Sequence, residues 1–170
     1  SNAIQCKGGS GDLEIRGNRF LNGGGRAINV GGSTGFPFFR PPLSRTEPNV
    51  EARNIQVFAN LFQGSDAPIA FVGATDCEVT HNTIVDPGRW VVRILQESVT
   101  KDGVEFEACG RNTFAANLVS FQRGALRTGV NVGANVAVES FALARNLWFA
   151  SDKPESSRLE LPVKEAGGVV

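Results

Sequence analysis

Residues 13–20 read LEIRGNRF, and the phrase returns as IQVFANLF at 55–62, CEVTHNTI at 77–84, NTFAANLV at 112–119 and FALARNLW at 141–148. Most copies place apolar residues five and three before a fixed Asn, as in Leu13/Ile15, Ile55/Val57, Cys77/Val79 and Phe141/Leu143. Another apolar residue follows two positions after it: Phe20, Phe62, Ile84, Val119 or Trp148. Alternation on both sides of the Asn is the period of a β-strand, broken by a tight bend at the Asn.

Aligned on Asn18, Asn60, Asn82, Asn117 and Asn146, the copies are 42, 22, 35 and 29 residues apart. Removing insertions at 31–52 and 96–110, and a milder one near 129–138, leaves a unit of about 22 residues, a length typical of solenoid coils. A further strand follows roughly ten residues after most of the Asn positions: RAINV at 26–30, PIAFV at 68–72, WVVRIL at 90–95 and ALRT at 125–128, with IQC at 4–6 one coil earlier. Glycine-rich or polar turns introduce these strands. The pattern therefore predicts an all-β, right-handed parallel β-helix with three strands per coil. Asn tolerates left-handed backbone, and its carboxamide can bond to the Asn one coil away, which predicts an Asn ladder. In the fourth copy Asn112 replaces an apolar residue, and this predicts a looser coil edge there. A leucine-rich repeat would need Leu eight residues before the Asn, where this chain has Ser10, Ala52, Ala74, Cys109 and Val138.

The 170 residues are 41% hydrophobic, with 17 basic and 17 acidic side chains. The length fits one domain, and the balanced charge gives no bulk attraction to nucleic acid or to an anionic membrane. Ser1–Ala3 reads as a cloning remnant, 4–150 as the β-helix, and 151–170 as a polar tail whose Leu159–Val163 stretch folds back as a cap. The first coil has no cap of its own, so self-association through it is expected. Cys6, Cys77 and Cys109 lack metal-ligand spacing and read as small buried hydrophobes, so no metal and no cofactor are expected. His81 falls in a turn, where a structural role is expected.

The repeated Asn phrase resembles that of the right-handed parallel β-helix superfamily that includes the pectate lyases, over about residues 4–150. GGRAINVGGSTGFPFFRP at 24–41, APIAFVG at 67–73 and RWVVRILQE at 89–97 are similar to a group of bacterial β-helix repeat proteins without an assigned activity. Members of that group carry further coils ahead of the point where this sequence begins, so the resemblance implies a piece of a longer solenoid. It also implies a secreted or periplasmic location and a ligand groove along the outward face of the strand that follows the glycine-rich turn.

With Ile4/Cys6, Ile28/Val30, Ile69/Phe71 and Val92/Ile94 facing inward, the outward column becomes Gln5, Asn29, Ala70 and Arg93, followed by Arg127. Arginines one coil apart, at a strand spacing of about 4.8 Å, could grip neighbouring carboxylates. The candidate substrate-binding residues are Gln5, Lys7, Asn29, Phe36, Arg40 and Glu97, the last three supplied by the insertions. Phe38 and Phe39 read as sealing the solenoid's lateral face, and Phe36 as divided between that role and stacking on a sugar ring.

For β-elimination from a uronic acid, Arg93 and Arg127 are the catalytic candidates, with Arg26 either joining them or bracing a glycine turn. Paired carboxylates of the kind a hydrolase uses are not evident. The expected function is binding, and cleavage by elimination, of an acidic polysaccharide. The alternative is a non-catalytic structural or adhesive module of a larger protein.

Overall fold

In the computed structural model, which describes residues 1–170, the chain winds through five coils of three strands. The first coil holds β1 (Asn2–Cys6), β2 (Ser10–Arg16) and β3 (Arg19–Leu21). The second holds β4 (Arg26–Gly31), β5 (Ala52–Phe58) and β6 (Leu61–Gln63). The third holds β7 (Ala67–Val72), a two-residue β8 (Ala74–Thr75), β9 (Glu78–Thr80) and β10 (Thr83–Val85). The fourth has β11 (Val92–Leu95), β12 (Thr113–Ala115) and β13 (Leu118–Phe121), and the fifth β14 (Val130–Val132), β15 (Ala142–Ala144) and β16 (Leu147–Ala150).

Equivalent strands pair in parallel to give three sheets: β1-β4-β7-β11-β14, β2-β5-β9-β12-β15 and β3-β6-β10-β13-β16. The chain is thus a parallel β-helix with three strands per coil. Its register follows the repeat, since Phe20, Phe62, Ile84, Val119 and Trp148 stand in one column. All five are buried, as are the columns through Ile28, Ile69 and Val92 and through Val57, Val79 and Phe114. Each coil therefore adds one layer of apolar side chains to a continuous core.

Asn18 Nδ2 donates to Asn60 Oδ1, and the same bond repeats from Asn60 to Asn82, Asn82 to Asn117 and Asn117 to Asn146 at 3.0–3.1 Å. Each receiving oxygen also accepts the backbone N–H of the preceding coil's Asn. The left-handed bend falls one residue earlier than the sequence suggests, at Gly17, Ala59, His81, Ala116 and Arg145, with φ between 52° and 67°. The Asn follows the bend and satisfies the backbone groups that the bend leaves free. Asn112 does not loosen the fourth coil. It is fully buried, accepts the Cys77 N–H at 2.9 Å and donates to the Ala74 carbonyl at 2.8 Å.

Residues 32–51 and 96–112 leave the first sheet and re-enter the second, and they pack on each other. Phe106 of the later insertion meets Phe36 and Phe39 of the earlier one at centroid distances of 6.0 and 5.7 Å. At the C-terminal end the tail folds back. Ala166 and Val169 form bridges to Ala144 and Leu147, and Glu165 accepts from Asn146 Nδ2 at 2.7 Å and from Trp148 Nε1 at 2.9 Å. Asn2 and Ala3 belong to β1, where Asn2 pairs with Arg26.

Candidate functional site

The first sheet fixes the outward column. Gln5, Asn29, Ala70, Arg93 and Asn131 are in register, one per coil. The fifth member is Asn131, not Arg127, because the chain makes a turn over Gln122–Leu126 and resumes as a strand only at Val130. The Arg127 backbone N–H instead donates to the Arg89 carbonyl at 2.9 Å, and the Arg89 N–H to that of Asp66 at 3.0 Å. Arg89 and Arg127 are therefore successive members of a second column, at the turn leading into the sheet.

Arg93 is the centre of the cluster. Its Nε donates to Asn131 Oδ1 at 2.9 Å, and its guanidinium lies 4.4 Å from the Trp90 ring centroid. Arg89 lies over the same ring at the same 4.4 Å. Attraction to the π-face holds two cations close together that would otherwise repel. Burial lowers the proton affinity of Arg93 from its ordinary value, and the nearby charges of Arg26 and Arg89 push in the same direction, against Glu97 and Asp66. None of the chain's ion pairs uses Arg89, Arg93 or Arg127.

The remaining sequence candidates divide. Asn29 faces outward in register but is fully buried, since it accepts from Arg26 Nη1 at 3.0 Å and donates to the Gly31 carbonyl at 3.0 Å. It has no free face for a ligand. Arg26 also pairs with Glu97 at 2.9 Å, so Glu97 is held by this chain's own cation. Gln5 and Lys7 are exposed at the first-coil end of the column, with Lys7 Nζ on the Ser33 carbonyl at 3.1 Å.

Phe36 and Arg40 serve the insertions. Phe36 packs on Phe106, and Arg40 Nη1 donates to the carbonyls of Pro37 and Phe39 at 2.9 and 2.7 Å. Phe39 is buried as expected of a sealing residue, but Phe38 is 75% exposed and seals nothing. Neither insertion brings an aromatic ring to Arg93, whose ring comes from Trp90, only three residues away.

Sequence reasoning missed Trp90, Arg89 and Glu51. The first two were legible as an Arg-Trp-x-x-Arg spacing, which puts both cations near one indole. Glu51 carried no signal: it is fully buried, with Oε1 accepting from the Thr34 N–H and the Ser98 hydroxyl and Oε2 accepting from the Gly8 N–H and the Thr34 hydroxyl. It fastens both insertions to the first coil.

No concavity of the surface includes Arg89, Arg93 or Arg127; one of about 300 Å³ lies between β2 and the first insertion, and another of about 480 Å³ lies under the C-terminal tail. The arginine cluster is an open face, suited to an extended polymer more than to an enclosed small molecule. No known family model, curated protein or solved structure matches this chain.

Proposed function

We propose that the face carrying Arg89, Arg93 and Arg127 binds an acidic polysaccharide. The observation that supports this reading is the set of three guanidiniums without carboxylate partners on two neighbouring coils, Arg93 on the first sheet and Arg89 and Arg127 at the turn leading into it, with Arg89 and Arg93 oriented by Trp90. Coils spaced at about 4.8 Å offer a linear polyanion repeated contacts, and guanidinium suits bidentate pairing with carboxylates.

Elimination is a second reading, favoured by the lowered proton affinity of Arg93. In that reaction a base takes the proton at C5 of a uronic acid, the electron pair forms the C4–C5 double bond, and the C4–O bond breaks with its oxygen taking a proton. Arg93 is the candidate base. Arg127 belongs to the neighbouring column and is read as a binding residue.

Titration with oligogalacturonate, alginate, heparin and neutral dextran tests the proposal. Binding to an acidic polymer, absent for dextran and weakened roughly 10-fold by Arg93→Ala or Arg127→Ala, is the expected result. Ultraviolet absorbance from new unsaturated ends reports elimination. No binding to any of the acidic polymers overturns the proposal in favour of a structural module.

A further inference from the structure

Arg26 opens β4 in the second coil and Glu97 follows β11 in the fourth, yet Arg26 Nη2 donates to Glu97 Oε1 at 2.9 Å. On its other side Arg26 Nη1 donates to Asn29 Oδ1, on the second coil, at 3.0 Å. A guanidinium bonded to both lies over the coil between them. At that level the outward column has Ala70, in register between Asn29 and Arg93. Ala70 faces outward and is nevertheless fully buried. The gap that an alanine leaves in the column is thus taken by a cation from the coil before.

The two ends of this bridge differ. Asn29 is fully buried and fixed by its own bond to the Gly31 carbonyl. The Glu97 side chain is 36% exposed, belongs to the second insertion, and its carboxylate has no partner besides Arg26. A partly exposed ion pair is weak, so an acid group arriving from outside can replace Glu97 at little cost while Asn29 keeps the guanidinium in place. The charge of Arg26 acts on Arg93 and lowers its proton affinity, and Glu97 opposes this, so the three charges share one field.

We propose that Glu97 is a built-in competitor at the arginine face, occupying Arg26 until an acid group of the bound polymer takes its place. The inference rests on the reading of this face as a polysaccharide site and adds Arg26 to it as the cation of the third coil. Arg26 and Arg93 then meet acid groups one coil spacing apart, about 4.8 Å. A neutral sugar has nothing to exchange with Glu97, so the pair also discriminates against uncharged polymers.

Titration of the parent chain, Glu97→Gln and Arg26→Ala/Glu97→Gln with oligogalacturonate, alginate and heparin at several salt concentrations tests this. Glu78→Gln is the control, since it removes one exposed carboxylate from the second sheet and frees no cation. Glu97→Gln should bind an acidic polymer roughly 2- to 5-fold tighter, with a steeper salt dependence because one more cation meets the ligand. Glu78→Gln should match the parent, and the double variant should lose the gain. Parent-like or weaker binding by Glu97→Gln overturns the competitor and leaves the polysaccharide reading standing. A gain that Glu78→Gln reproduces, or that survives in the double variant, overturns it too, as an effect of net charge alone. Binding by Glu97→Gln where the parent shows none supports it, and absence of binding by both overturns the competitor together with the reading it rests on.

Discussion

Glu51 accepts both the backbone N–H of Thr34, at 2.9 Å, and the Thr34 hydroxyl, at 2.7 Å, from inside a site with no cation. The Ser98 hydroxyl and the Gly8 N–H complete its shell. One carboxylate thus ties two insertions and the first coil through charge-assisted bonds, each worth about 1.5–3 kcal/mol. Glu51→Gln replaces an acceptor by a donor that faces other donors. Urea denaturation should show a loss of about 3 kcal/mol or more, and hydrogen exchange should quicken in both insertions together. Faster exchange in only one of them would show that Glu51 does not couple the two.

The carboxamide column should be unequal along its length. Asn82 is buried, donates to the Val57 and Thr80 carbonyls and to Asn117, and accepts twice from Asn60. Asn18 is exposed and nothing donates to its Oδ1. Asn82→Ala is expected to cost about 2–4 kcal/mol and Asn18→Ala less than about 1 kcal/mol by chemical denaturation. Equal losses would refute a cumulative role for burial along the column.

Ala59 and Ala116 hold φ of 53° and 54° at the bend, where the first coil uses Gly17. A Cβ in that region costs about 1–2 kcal/mol, partly offset by the greater entropy that glycine loses on folding. Ala59→Gly, at an exposed position, should therefore stabilise the protein by about 0.5–1 kcal/mol, measurable as a higher denaturation midpoint.

Trp90→Ala removes no charge, yet it should weaken polyanion binding several-fold by freeing Arg89 and Arg93, and Trp90→Phe should restore much of the affinity. Isotherms at several salt concentrations check this. The salt slope should stay near that of the parent protein, because the number of cations is the same.

Burial pushes the Cys77 thiol up to about 12 and that of Cys109 to about 11, from an ordinary 9.0. The folded state therefore holds these protons more tightly than the unfolded state does. Their contribution to stability is intact below pH 9 and declines above it, by about 1.4 kcal/mol per pH unit for each thiol until its folded value is reached. Denaturation midpoints measured from pH 8 to 11 should fall accordingly, and substitution of both cysteines by alanine should flatten the decline.

The fold was legible because one phrase recurs in phase: apolar spacing around Asn18, Asn60, Asn82, Asn117 and Asn146 places the strands and their inward columns. The fifth return strand was misplaced for a local reason. Val92 lies ten residues after Asn82 but Val130 lies thirteen after Asn117, because the Gln122–Leu126 turn adds length that ALRT conceals. This shift put Arg127 in the wrong column. The insertions were harder to read, since they follow no repeat. Glu51, Thr34 and Ser98 converge only after both insertions fold, and no spacing in the sequence records that meeting. Phe36 stayed divided between sealing and stacking for the same reason, as its partner Phe106 is supplied by the other insertion.

The carboxamide column also has a direction. Every Asn passes a proton donor toward the C-terminal end, and Glu165, which receives the last one, has two oxygens and nothing to pass on. A carboxylate there acts as a chemical full stop: another rung docking below would meet an anion already engaged on both sides. Growth of the stack is thereby closed at the pole that Glu165 occupies.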